Sequence, residues 1–374
     1  MTTRRQFLSH GALAMLGAAG SAFALPSETR ESAIPDGSAS KDMITPEADA
    51  AIASGLAYLC SQQSKEDGSF GLAHYKGNVA ITSLAALAFM AGGHQPGRGV
   101  YGRVLTRALE AVLACGERSN EHSKWKGYLH NIGGTPHGPM YGHGFGTLFL
   151  AEATGMVQDR DLRDRLKRML RDSINLIIKS QNAEGGWRYY PDSPDADLSV
   201  TICQIMALRA ARNAGLFIEK SVVDRCVQYV KACQDRQQGW FRYQKQGGPM
   251  AGNGFDNQAF ARTAAGVCAL YSAGIYEGPE ITLGLEYLKK TRSTRFNGQD
   301  FHYFYGHYYA VQAMWTAGGS YWSEWFPWIR DELVSRQKLQ NSGAWRDAIC
   351  EHYGTAMACV ILQIPNNYLP IFQK

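Results

Sequence analysis

One unit of sequence is used twice in this chain. Tyr141 to Gly155 reads YGHGFGTLFLAEATG and Tyr305 to Gly319 reads YGHYYAVQAMWTAGG, with the Tyr-Gly-His opening and the closing Ala-x-Gly at the same offsets. Related apolar, alanine-rich runs close at Gly93, Gly215 and Gly274, and a sixth opens at His352, 45 residues after His307. Repetition on this scale constrains the fold before any motif does, because a unit that cannot bury its apolar helix alone must stack on its neighbours.

The segments between these runs are of a different kind. DLRDRLKRMLRDSINLIIKSQ and SVVDRCVQYVKACQ set apolar residues at i, i+3, i+4 and i+7 against a charged face. A helix with one wet face belongs on the outside of a domain, and one apolar nearly all round belongs inside. Six such pairs predict an all-α domain over residues 45–374, and the lack of a polar capping repeat at either end predicts closure into an (α/α)6 toroid, an inner ring of helices within an outer one.

A second signature follows the outer helices. Gln63 precedes Gly68 and Phe70, Gln181 precedes Gly185, Gly186 and Trp187, Gln234 precedes Gly239 and Trp240, and Gln337 precedes Gly343 and Trp345. Glycine ends a helix in a left-handed turn, the ring covers the end of the helix pair, and the Gln amide is placed to bond free backbone groups there. These are expected to be structural staples.

These tails resemble the QW motifs of squalene-hopene and oxidosqualene cyclases, and the six pairs look like the α/α toroid of protein prenyltransferase β subunits, the prenyltransferase/squalene cyclase repeat superfamily. The resemblance implies a site. The cyclases' DxDD motif followed by Thr, with its middle Asp as proton donor, falls on DADLS: Asp195 and Asp197 match the first two acids, Leu198 replaces the last and Ser199 replaces Thr. In the prenyltransferase comparison Asp197 and His307 match zinc ligands, while Ser199 stands where a thiolate is expected. No cofactor is otherwise predicted.

Read without the resemblance, Asp195 and Asp197 are helix caps favoured by the helix dipole. Capping is compatible with function, since the starts of inner helices face the centre of a toroid. By the same argument Tyr141, His143, Asp256, Tyr305 and His307, all near inner-helix starts, are candidate cavity or ligand-binding residues. The Gly/Pro-rich stretch Gly133 to Gly146 is a candidate rim, and YWSEWFPWIR is expected to pack the outer ring.

The N-terminus reads as an export leader: Arg4-Arg5, Phe7-Leu8, a Gly/Ala-rich run and a small-x-small site at Ala22-Phe23-Ala24. Residues 1–24 are expected to be a twin-arginine signal and 25–44 a flexible linker, leaving an exported chain without a transmembrane segment. The net charge of +5 includes the leader arginines, and no basic run suggests nucleic acid. The eight cysteines show no metal-ligand spacing and fall largely in apolar helices. Three functions remain open from the sequence: binding of an apolar, isoprenoid-like ligand or a protein partner, terpene-cyclase-like catalysis through Asp195 and Asp197, or an (α/α)6 carbohydrate-active enzyme.

Overall fold

The structure, a computed structural model, describes residues 38–131, 138–245, 258–292 and 302–373. The leader, Asp256 and the part of the candidate rim at 133–137 lie outside the described residues. Twelve α-helices occur among those described: α1 (Pro46–Gln62), α2 (Val79–Ala91), α3 (Gly102–His122), α4 (Pro139–Ala153), α5 (Arg160–Lys179), α6 (Leu198–Asn213), α7 (Lys220–Ala232), α8 (Ala259–Ser272), α9 (Pro279–Thr291), α10 (Tyr303–Ala317), α11 (Gly319–Lys338) and α12 (Glu351–Gln363). No strand is present among the described residues, which hold only isolated bridges such as Trp187 with Asp197.

The even-numbered helices form the inner ring. Each packs on the next, and α12 packs back on α2, so the ring is closed. Their composition follows from that position, for they have no wet outer face. Every residue of α2 except Ala80 is buried, and every residue of α4 except Tyr141. Those two exceptions point to the centre, where both line the cavity described below. The odd-numbered helices bury one stripe each, as in α5, where Leu162, Leu166, Met169, Leu170 and Ile177 face inward and the intervening Arg, Lys and Asp residues face water. In α11, Trp322, Trp325 and Phe326 are buried and pack the outer ring.

The glutamine tails join one outer helix to the next. The Gln63 amide donates to Gly68 O (2.9 Å) in its own turn and to Val104 O (2.8 Å) in α3. Gln181 links its turn to Val222 O in α7, and Gln234 links to Glu280 O in α9. Gln337 donates to Gly343 O (2.7 Å) and to Ala51 O (2.8 Å) in α1, so the last outer helix is tied to the first. Glycine is required at Gly185, where φ is +92° and a Cβ would sit 2.4 Å from Arg225 O. The aromatic residue two places after the glycine donates its backbone N–H to a threonine of the next inner helix: Phe70 to Thr82, Trp187 to Thr201, Phe241 to Thr263 and Trp345 to Thr355. In the third tail this residue is Phe241, not Trp240. Trp240 instead stacks under the Arg242 guanidinium at 4.6 Å.

All six inner helices start at one end of the ring. At the other end the C-terminal residues cross the helix ends as a plug. Trp315 Nε1 donates to Phe372 O (3.0 Å), Arg209 Nη2 to Gln373 O, and Ile371 N–H approaches the Glu152 carboxyl at 3.5 Å. Burial pushes the Glu152 carboxyl up to about 8, against the opposing pull of the Ile371 N–H and Arg209. At the N-terminal side, Thr45 caps α1 by accepting from Ala48 N–H. The residues just before it, read from composition as linker, lie against α11: Trp322 Nε1 donates to Ala39 O and Arg330 Nη1 to Met43 O.

Candidate functional site

The starts of the inner helices surround a cavity of about 930 Å³. Each inner helix contributes: Asn78, Ala80, Ile81 and Leu84 from the start of α2, Gly138, Tyr141 and Phe145 from α4, Ser199 from α6, Gln258 and Arg262 from α8, His302 and Tyr305 from α10, and Ile349 and Tyr353 around α12. The tails add Tyr75, Tyr189 and Tyr243, so six tyrosines line one space. Among the described residues no carboxylate lines it. Gly138 permits one close approach: its φ is +89°, and a Cβ there would lie 2.7 Å from Tyr189.

Of the residues singled out from sequence, Tyr141 and Tyr305 line the cavity, and Asp195, Asp197, His143 and His307 do not. The two histidines point outward. His143 is fully buried between rings; its Nδ1 accepts from Leu129 N–H (3.2 Å) and its Nε2 meets Ser173 O (3.2 Å) on outer helix α5, which fixes Nε2 as the protonated nitrogen. His307 is fully buried among Phe260, Tyr303, Trp325 and Trp328, with ring centroids 4.4 to 6.1 Å away, and neither of its nitrogens has a hydrogen-bond partner. Burial lowers both imidazoles to about 3, so both are neutral. The reason for the outward placement is helical: a residue two places after the inward-facing Tyr lies about 200° round the axis.

Asp197 is the N-cap of α6, the third inner helix. Its Oδ1 accepts from Val200 N–H (2.8 Å), and its Oδ2 lies 3.1 Å from Arg188 Nη1. Asp195, nearly half exposed, pairs with Nε of the same arginine at 3.3 Å and accepts from Gln244 Nε2 (3.0 Å). The two carboxylates therefore flank one guanidinium and do not pair with each other. Asp197 is fully buried, and burial pushes its carboxyl up to about 6 while the Val200 N–H, Arg188 and the Tyr243 hydroxyl favour the ionised form. Arg188 lies over the Tyr189 ring (4.6 Å) and the Tyr243 ring (5.3 Å), and its Nη1 also donates to the Tyr243 hydroxyl (3.0 Å). The Tyr189 and Tyr243 hydroxyls are hydrogen-bonded to each other at the cavity wall. From α10, two places round the ring, the Tyr305 hydroxyl donates to Ser199 O (3.3 Å).

Arg188, Tyr189 and Tyr243 escaped the sequence reading, although a signal was present. Trp187-Arg188-Tyr189 and Phe241-Arg242-Tyr243 are the same aromatic-Arg-Tyr triplet at equivalent places in two tails. Asp197 and His307 share no partner, and among the described residues no three His, Cys, Asp or Glu side chains come together to hold a metal. No described helix is long and apolar enough to cross a membrane.

No family model and no curated protein matches this sequence. Among solved structures, an alpha-1,6-mannanase from Salegentibacter sp., described in an inactive variant with alpha-1,6-mannotriose, is similar with a TM-score of 0.58 at 8% identity, covering 85% of this chain and 98% of that one. A type II terpene cyclase from Scytonema, in complex with the substrate geranylgeranyl dihydroxybenzoate, is similar with a TM-score of 0.53 at 11% identity, covering 87% of this chain and 98% of that one. Another structure of that cyclase, with its product merosterolic acid A, gives a TM-score of 0.52. The fold is thus an α/α toroid shared with enzymes of unlike chemistry.

Proposed function

We propose that this chain is an exported ligand-binding toroid that takes an elongated, mostly apolar molecule of isoprenoid size into its central cavity. The observation that carries this reading is the described wall. It is mostly aromatic and aliphatic, its polar side chains Asn78, Ser199, Gln258, Arg262 and His302 stand at the inner-helix starts, and among the described residues it holds no carboxylate. A volume of about 930 Å³ is at the upper end of ordinary small-molecule pockets. Glycoside hydrolysis needs two carboxyl groups flanking the bond to be cleaved, and among the described residues none stands on this wall. Acid-initiated cyclisation needs a protonated carboxyl that reaches the ligand. Asp197 instead caps a helix, pairs with Arg188 and stays off the cavity wall, where Tyr189 and Tyr243 stand.

The test is a titration of the mature chain with geranylgeraniol, followed by quenching of its tryptophan and tyrosine emission, with alpha-1,6-mannotriose as the polar control. Saturable quenching by the isoprenoid alone is expected, and it should be lost in Ala348→Trp, which places a large ring at an exposed rim position that lines the cavity. Quenching by the sugar instead, or no loss in the rim variant, would defeat the reading.

A further inference from the structure

Three of the glutamine tails carry an aromatic-Arg-x triplet, and the last differs from the other two at its third place. Trp187-Arg188-Tyr189, Phe241-Arg242-Tyr243 and Trp345-Arg346-Asp347 each open with the aromatic residue whose N–H is held by a threonine of the next inner helix, so the three are in register. In each the arginine pairs with an acid: Arg188 with Asp197, Arg242 with Asp235 (2.9 Å) and Arg346 with Glu351 (3.5 Å). The third residue is a tyrosine of the cavity wall in two of them and an acid in the last. Asp347 thus takes a place that the repeat assigns to the mouth of the cavity. Ala348 and Ile349, which follow it, line the wall, and a Cβ on Gly354 would lie 3.1 Å from its own Cβ, so it rests against the start of α12 at the edge of that wall.

This acid has no cation. Its Oδ1 accepts from Ile349 N–H (2.8 Å), the arginine beside it is taken by Glu351, and among the described residues no Lys or Arg pairs with it. Burial pushes its carboxyl up to about 6, opposed by the Ile349 N–H. The titratable groups around it bring no positive charge: burial first, and negative charge after it, raise the Cys350 thiol and the hydroxyls of Tyr75 and Tyr353, two residues of the wall. The guanidinium on the described wall, that of Arg262, enters from α8, across the ring from α2.

We infer that Asp347 anchors a cationic head group, so that the cavity's ligand ends in a protonated amine at this edge and lays its apolar body against the wall below. The inference rests on the reading of the cavity as an apolar-ligand site and adds the chemistry of the head group. A half-buried carboxylate without a partner carries a desolvation cost that an ammonium beside it offsets, and the neighbouring rings of Tyr75 and Tyr353 favour a cation in the same place. A neutral alcohol would leave the charge unbalanced. A carboxylate head group would meet a like charge.

The experiment compares geranylgeranylamine with geranylgeraniol, by the same emission titration at pH 5 and pH 7.5, in the intact chain and in Asp347→Asn. A primary aliphatic amine stays protonated at both pH values, whereas Asp347 ionises between them. At pH 7.5 the amine should bind at least about tenfold tighter than the alcohol, the value of a hydrogen bond to a charged group, and at pH 5 the two should come near parity. Asp347→Asn keeps an oxygen for the Ile349 N–H. It should abolish the preference at both pH values while the affinity for the alcohol stays the same, which also shows that the variant remains folded. Equal affinity for amine and alcohol at pH 7.5, a preference as large at pH 5, or one that survives Asp347→Asn overturns the head-group inference and leaves the apolar site standing. Binding of neither compound overturns both.

Discussion

Replacing Arg188 with methionine tests the site electrostatics most directly. Its guanidinium is the cation nearest the fully buried Asp197, at 3.1 Å, and is itself only 14% exposed. With Arg188 present the Asp197 carboxyl titrates near 6, so above that pH the folded protein holds a buried charge. Against an unfolded value near 3.9, that already costs about 3 kcal/mol. Without the arginine the carboxyl escapes its burial penalty by staying protonated, and holding that proton costs a further 1.4 kcal/mol or so for each pH unit above 6. Arg188→Met should therefore be less stable than the parent by a pH-independent packing loss at pH 5. The deficit should widen by about 3 kcal/mol at pH 8, up to the variant's own raised value. Urea denaturation at several pH values reads this out. Asp197→Asn keeps an oxygen to cap Val200 and should remove the pH-dependent part, so the double variant should show no such widening. A deficit equal at pH 5 and pH 8 would refute the ion pair with Asp197 as the reason for Arg188 and would shift that reason to its other contacts, among them the Tyr243 hydroxyl, Asp195 and the two tyrosine rings.

Other consequences follow from the same structure. Glu152 has a folded value of about 8, above its unfolded one, so its contribution is present below about 4.5 and is lost as pH rises to 8. Glu152→Gln should remove a fall in unfolding free energy of up to about 1.4 kcal/mol per pH unit between about 4.5 and 8, read by urea denaturation across that range. His307 works in the opposite direction. Its folded value of about 3 lies below the unfolded 6.5, so stability falls as pH drops from 6.5 towards 3, and His307→Phe should regain about 3 kcal/mol at pH 4.5; an unchanged acid limb would show that the ring is not held neutral. Gln337→Leu strands the Ala51 and Gly343 carbonyls at the closure of the ring and should cost about 2–4 kcal/mol in urea denaturation, whereas a loss under 0.5 kcal/mol would mean that helix packing alone closes it.

The inner and outer helices could be read from sequence because each carries its address in a local period. Tyr141 was legible as a cavity residue from its repeat-equivalent place, whereas Ala80, equally the one residue of its helix that is not buried, carries no mark in an alanine-rich run. The placement of His143 and His307 was less legible. Their repeat-equivalent positions suggested one shared mouth, but position along an axis says nothing about angle round it, and two residues from Tyr141 or Tyr305 is half a turn away. Arg188 and Tyr243 lie in irregular tails, where no period reports direction, and Tyr243 reaches the site from the next unit. Trp240 drew notice for its size, while the shorter Phe241 occupies the equivalent place because the count from glycine, not the bulk of the ring, sets the bond to threonine.

The cap and the acid at Asp197 are not competing roles, since a carboxylate has two oxygens and the Val200 N–H takes only Oδ1. The second oxygen is claimed by Arg188, so the arginine, rather than the cap, decides what the carboxylate can do. The same reasoning applies to Leu198, which stands where the cyclase pattern has its last acid. Leu198 is fully buried, and its N–H donates to Tyr243 O (2.9 Å), fastening the tail that carries Tyr243 against the start of α6. A carboxylate at 198 would enter the core beside Asp197, where Arg188 already serves two acids, and its charge would have to be discharged by protonation. Leu198→Asp is therefore expected to destabilise the chain by several kcal/mol at pH 7 and less at pH 5. In this chain the tail beside Asp197 is thus organised around an arginine and two tyrosines, with Leu198 fastening it to the helix start.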